Sequence, residues 1–138
     1  MKKIVKRGAL ALIGAAVLAG TQAGAAYANQ YDRTAYSYPS GSRVDWKADG
    51  EHLLIKDTEK DGHSAVALFR WYDGGEQRFH TYTYFNRDGV DSVRDVNLDL
   101  YEGTTVNVKA CIGDWAGSLE ASADSIRNCT NDWVVTLA

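Results

Sequence analysis

Residues 64–85 read SAVALFRWYDGGEQRFHTYTYF, and this stretch decides the fold class. Its first run, residues 64–72, carries Val66, Leu68, Phe69 and Trp71, and its last, residues 78–85, is dominated by aromatic and β-branched side chains. Such residues pack well on a pleated surface, whereas in a helix they lose χ1 freedom against the preceding turn. Between the runs, Asp73-Gly74-Gly75 supplies the backbone freedom that a chain reversal needs. The stretch reads as two strands broken at a turn.

The same texture continues on both sides. Residues 51–57 form an apolar-centred run around Leu53, Leu54 and Ile55, closed by the turn signal Asp61-Gly62. Alternation of Val96, Leu98 and Leu100 with Asn97 and Asp99 predicts a strand over residues 96–100. Val106, Val108, Ala110 and Ile112 then share one face of a run whose other face holds Asn107, Lys109 and Cys111. A Gly/Ala/Ser-rich stretch over residues 113–128 leads into a last apolar run at residues 133–137. Six or seven short strands, Gly/Asp turns and no amphipathic helical period describe an all-β protein, and an immunoglobulin-like β-sandwich is the expected arrangement. That domain is expected over residues 51–138. Residues 29–50, with Tyr31, Tyr36, Tyr38, Trp46 and the single proline Pro39, have little aliphatic content and read as an extended, aromatic-rich N-terminal arm.

The first 28 residues have a different character. Lys2, Lys3, Lys6 and Arg7 precede an apolar run from Ala9 to Gly20, and Ala26-Tyr27-Ala28 offers small residues where a signal peptidase cuts. The apolar run falls short of the ~20 residues of a spanning helix, so a secretory signal peptide over residues 1–28 is expected rather than a membrane anchor. Removing those four basic residues from 15 Lys+Arg leaves 11 against 18 Asp+Glu, a formal charge of −7 for the exported chain. Nucleic acid and anionic membrane surfaces are therefore poor partners, because both are held through Lys and Arg. Export also places the only two cysteines, Cys111 and Cys129, in an oxidising compartment, where a disulfide is expected. Closing a loop of that length contributes roughly 3 kcal/mol in the chain-entropy account.

Catalytic signatures do not emerge. The chain has no Gly-x-Ser-x-Gly elbow, His-Glu-x-x-His pair or phosphate loop, and His52, His63 and His80 are scattered along it. No catalytic residue, metal or cofactor is expected. Asp57-Thr58-Glu59-Lys60-Asp61-Gly62 matches the start of a calcium loop, but the position of its bidentate glutamate is occupied by Leu68, so an acidic turn is the better reading. Asn86, Asp88 and Asp91 read as a second such turn, and Asp91 with Asp95 as a chance carboxylate pair on an acidic surface.

Aromatic residues are the stronger lead, because Tyr and Trp anchor recognition surfaces and eight Tyr and four Trp exceed what one small core consumes. Two groups are candidate partner-binding residues: Tyr31, Tyr36, Tyr38 and Trp46 on the arm, and His80, Tyr82 and Tyr84 on one parity of their strand. An extracellular protein is the expected partner, held by the arm and a sheet edge in a non-enzymatic adaptor. Two other readings stand beside it. One is an inhibitor of an extracellular protease or glycosidase acting through residues 113–128. The other is a glycan-binding module stacking sugars on His80, Tyr82 and Tyr84.

The order Asp57-Thr58-x-x-Asp61-Gly62-His63-Ser64-Ala65-Val66, then Leu100-Tyr101-Glu102-Gly103-Thr104-Thr105-Val106 through Ala110-Cys111, then Asn128-Cys129-Thr130 and Asp132-Trp133, resembles a family of small secreted actinobacterial proteins. The layout is similar to the adaptor subunit of the umbrella toxin particles of Streptomyces. That resemblance implies a linking role between protein subunits and no catalysis.

Overall fold

The computed structural model describes residues 30–138, and the signal peptide expected over residues 1–28 lies outside them. Eight strands form: β1 (Arg33–Tyr36), β2 (Ser42–Lys47), β3 (His52–Asp57), β4 (Ser64–Asp73), β5 (Arg78–Asn86), β6 (Val93–Asn97), β7 (Thr105–Gly113) and β8 (Val134–Leu137). They make two antiparallel four-stranded sheets, ordered β1-β2-β3-β6 and β5-β4-β7-β8, packed as a β-sandwich. The second sheet has the C′-C-F-G order of an immunoglobulin variable-type sheet, and β3 beside β6 takes the place of the B–E pair. The first sheet departs from that plan. No strand follows β6 at the D position among the described residues, and β1 adds a strand outside β2.

Alternation builds the core. Val44 and Trp46 from β2, Leu53 and Ile55 from β3, Ala65, Ala67 and Phe69 from β4, and Val106, Val108 and Ala110 from β7 all face inward and are buried. A second, smaller cluster lies on the outer face of the second sheet, where Val66, Phe85 and Cys111 are covered by Leu68, Trp115, Ile126 and Cys129. Its cover is the segment after β7, which holds a short helix α1 (Leu119–Ser122), capped by Ser118 Oγ accepting from Ala121 N at 3.1 Å, and a 3-10 turn (Ala123–Ser125). The Cys111–Cys129 disulfide ties the end of that segment to β7.

The chain crosses between sheets three times, and one crossing has a buried polar clamp. Asn86, at the end of β5, donates Nδ2 to Ile55 O at 3.0 Å and to Ser92 O at 3.1 Å, while its Oδ1 accepts from Asp88 N at 3.1 Å. The acidic turn expected at Asn86, Asp88 and Asp91 is thus a structural joint in which Asn86 binds one sheet to the other.

Two expectations need correction. The described part of the expected 29–50 arm, residues 30–50, does not stand outside the domain: β1 and β2 are full members of the first sheet, in register with one another and β2 with β3. The alternation is present in Ser42, Val44 and Trp46, which are buried while Arg43 and Asp45 are not, but Val44 is the one aliphatic among them and most of the apolar surface comes from Trp46. The strand expected at residues 96–100 lies instead at Val93–Asn97. Leu98 and Leu100 still pack against the core, yet β3 begins at His52, opposite Asn97, so the backbone beyond has no strand to pair with. Glu51 takes over, its backbone O accepting from Leu98 N at 3.0 Å and its Oε2 from Leu100 N at 2.8 Å.

Gly41 shows how tightly the β1–β2 turn is seated. Its φ is +108°, and a Cβ there would lie 2.7 Å from Ile112 Cγ2 on β7. Trp46 joins the sheets in the interior: fully buried, it stacks on Phe69 at 5.7 Å and donates Nε1 to Leu137 O at 3.0 Å. Trp46→Ala is expected to lower stability by about 3–5 kcal/mol, as large-to-small changes of buried aromatics do, in urea unfolding followed by circular dichroism. Stability within about 1 kcal/mol of the parent would return β1 and β2 to the status of an appendage.

Candidate functional site

The β4–β5 hairpin is the longest paired unit among the described residues, with register running from Ala65 opposite Asn86 to Asp73 opposite Arg78. Directly opposed residues share a face, so His80, Tyr82 and Tyr84 lie on the inner side with Trp71, Phe69 and Ala67. Phe79, Thr81, Thr83 and Phe85 take the outer side with Tyr72, Arg70, Leu68 and Val66. Because β5 is the outermost strand of its sheet, the inner row is only partly covered, and Tyr82 remains 44% exposed.

The row is ordered by ring contacts. The His80 imidazole stacks on Trp71 at 4.7 Å and 20°, and the Tyr82 and Tyr84 rings are stacked and nearly parallel, 6.4 Å apart and 19° inclined. Arg94, reaching over from β6, sits 5.6 Å from the Tyr84 ring centroid and donates Nη1 to Phe85 O at 2.6 Å. Burial pushes the Tyr84 phenol above its ordinary pKa, with Tyr82 adding to the shift and Arg94 opposing it. At the hairpin end, Asp73 Oδ1 accepts from Gly75 N at 2.8 Å and Glu76 N at 3.1 Å. The Glu76 N–H contributes most to holding the Asp73 carboxyl below its ordinary pKa.

The expected partner-binding residues on the former arm do not form one surface. Trp46 is core and is removed from the set of candidate binding residues. Tyr31 is half-buried, packs against the core, and its carbonyl accepts from Thr136 Oγ1. Tyr36, at the end of β1, and Tyr38, on the turn that follows, remain outside, 59% and 70% exposed, with Tyr38 N donating to Asn128 O at 2.9 Å. Trp71, Arg94, Asp73 and Glu76 were missed in the sequence. Trp71 and His80 could have been matched by folding the hairpin about Asp73-Gly74-Gly75, but Arg94 arrives from the other sheet and no local pattern announces it.

Elsewhere the titratable residues serve as ties between segments. His63 Nδ1 lies 2.6 Å from Asp114 Oδ1, and Arg127 Nη1 lies 3.2 Å from Asp114 Oδ2, joining the turn before β4 to the segment after β7. His52 Nδ1 pairs with Asp95 at 2.8 Å, so Asp95 faces a histidine rather than working with Asp91. Asp57, Glu59 and His63 line part of an open depression of about 380 Å³, together with Lys60 and Arg87. Asp57, Glu59 and Asp61 do not converge as calcium ligands: Asp57 is buried and its Oδ1 accepts from Glu59 N, while Asp61 Oδ1 accepts from His63 N. On the outer face of the second sheet, the Arg70 guanidinium is sandwiched 4.5 Å from Phe79 and 4.1 Å from Trp133. Family models, curated proteins and solved structures were all compared with the chain, and none matches it. Among the described residues, no helix is long and apolar enough to cross a membrane.

Asp114 and Asp57 should respond to pH with opposite signs. The hydrogen bond from His63 leads the causes that lower the Asp114 pKa, so the stability it contributes is present above the unfolded value near 3.9 and is lost as pH falls through the folded value. Burial raises the Asp57 pKa, assisted by Asp61 and Asp91, so its charged form costs stability as pH rises from about 4 through the folded value. In thermal unfolding at pH 3 to 7, the parent's margin over Asp114→Asn should widen as pH rises, and its margin over Asp57→Asn should shrink. Parallel profiles for the two variants would contradict these assignments.

Proposed function

We propose that the protein is an exported, non-enzymatic adaptor that holds extracellular protein partners on two opposite flanks of its sandwich. One observation carries this reading: beside Tyr72, Phe79 and Tyr101, exposed elsewhere, the sandwich presents exposed tyrosines at both of its flanks, Tyr82 at one and Tyr36 and Tyr38 at the other. β5 lies against the β3 side of the sandwich, while β1 lies against β7 and β8. Tyr82, with the half-buried Tyr84 beside it, therefore marks one flank, and Tyr36 and Tyr38, at the end of β1, mark the other.

The β5 flank suits an extended segment. Its sequence, RFHTYTYFN, has nine residues, one charged side chain, no proline and no strand beyond it. Long uncharged edges of this kind are usually blunted in free-standing domains, and a partner strand satisfies the same backbone groups. Export accords with the formed disulfide and with the leader pattern at residues 1–28. A subunit-linking role accords with the resemblance to a toxin-particle adaptor. The inhibitor reading has less support, because residues 113–128 fold back over the outer face through Trp115 and Ile126 instead of projecting. Glycan binding keeps one favourable observation, the exposed Tyr82 ring with Tyr84 stacked beside it.

The test is mild purification from the native culture fluid, with identification of what co-purifies. Tyr82→Ala and Tyr38→Ala should each weaken capture of a different protein by about 2 kcal/mol, roughly thirtyfold, with near-UV circular dichroism unchanged. Recovery of a lone monomer would overturn the adaptor reading. Binding to a polysaccharide that only Tyr82→Ala weakens would replace it with the glycan one.

A further inference from the structure

Among the described His, Cys, Asp and Glu residues, one set brings its ligand atoms within chelating range: Asp73, Glu76 and His80, with all three atoms within 4.8 Å of one another. The set sits at the end of the β4–β5 hairpin, beside the aromatic row and independent of the partner-binding proposal. His80 Nε2 lies 3.1 Å from Glu76 Oε2 and 3.6 Å from Asp73 Oδ2. Zinc bonds to nitrogen and oxygen of about 2.0–2.1 Å set the edge of a tetrahedral site at about 3.3–3.4 Å, so both separations bracket what a shared ion requires.

Three features prepare the ligands. Asp73 Oδ1 is committed to the turn N–H groups of Gly75 and Glu76, which leaves Oδ2 as the oxygen turned toward His80. Stacking on Trp71 fixes the plane of the imidazole. His80 Nε2 itself is sealed from solvent and makes no aligned hydrogen bond, although Glu76 Oε2 is close, so a buried nitrogen points at two carboxylates without a directed partner. A buried polar atom left in that condition costs free energy that a metal bond recovers. Glu76 is the exposed member and can swing to admit an ion; its present partner, Arg78 Nε at 2.6 Å, forms an exposed pair of the kind that contributes little.

We propose that this hairpin binds one divalent transition-metal ion of the zinc class through His80 Nε2, Asp73 Oδ2 and a Glu76 carboxylate oxygen. Three protein ligands leave a coordination position open for water or for a side chain of a bound partner. The imidazole selects zinc, nickel or copper; calcium requires six to eight oxygens and magnesium an octahedron of them, which this set does not supply. The competing account of the same geometry is an imidazolium balancing two carboxylates with no ion.

The two accounts separate by titrating the purified, disulfide-bonded protein with zinc chloride, and in parallel with calcium and magnesium chloride, using calorimetry and amide NMR. Zinc should bind with one ion per chain and shift amides confined to residues 71–80. His80→Gln and Asp73→Asn should each weaken that binding by more than about tenfold, the scale on which even outer ligand partners act. Arg78→Gln should leave it unchanged or tighten it, because a competing cation is removed. His63→Gln, which disrupts a His–Asp pair elsewhere, should not alter it. Thermal unfolding of each variant checks that the fold is kept. No saturable zinc binding below millimolar concentration, equal binding by His80→Gln, or calcium binding as tight as zinc would each overturn the proposal.

Discussion

The sandwich depends on the burial of Trp46. Its ring is the largest side chain wholly removed from solvent, it lies against Phe69 of the opposite sheet, and its Nε1 reaches the backbone of β8 at Leu137. One residue near the start of the described chain thereby joins both sheets and the last strand. A domain of this size buries a modest share of its surface, so a single aromatic anchor of that area carries a large part of the net stability. The Cys111–Cys129 link acts elsewhere, holding the segment after β7 against the outer face rather than closing the core.

Because the N-terminal strands are consumed in the core, the proposed binding surfaces lie where strands run out of neighbours. β5 ends its sheet, so aromatic residues of the inward parity emerge half-covered instead of vanishing between the layers. The same hairpin ends in a turn whose acidic side chains gather round His80. The metal-binding proposal and one of the two proposed partner flanks therefore both sit on the outermost hairpin of the second sheet.

The sequence was informative where local pattern and physical role coincide. Strand texture in residues 64–85, turn signals at Asp73-Gly74-Gly75 and Asp61-Gly62, and the cysteine pair all led to features that are present. It misled at residues 29–50, where Ser42, Val44 and Trp46 alternate but one short aliphatic and one Trp carry the apolar area. It also misplaced β6, because Leu98 and Leu100 keep the alternation of a strand after the partner strand has ended. In the candidate site, His80, Tyr82 and Tyr84 were legible as a row on one parity. Their company was not, since Arg94 comes from a strand in the other sheet.

Composition and periodicity determined the all-β class and the disulfide, because alternation, turn chemistry and cysteine count are properties of neighbouring positions or of simple totals. Tertiary structure decided which aromatic residues are core and which are surface. Trp46 and Tyr82 are equally exposed to inspection in the sequence, and only the order of strands places one between two sheets and the other at an edge. Burial of that kind is set by contacts between segments far apart in the chain, such as Trp46 with Leu137, and those separations leave no local pattern to read.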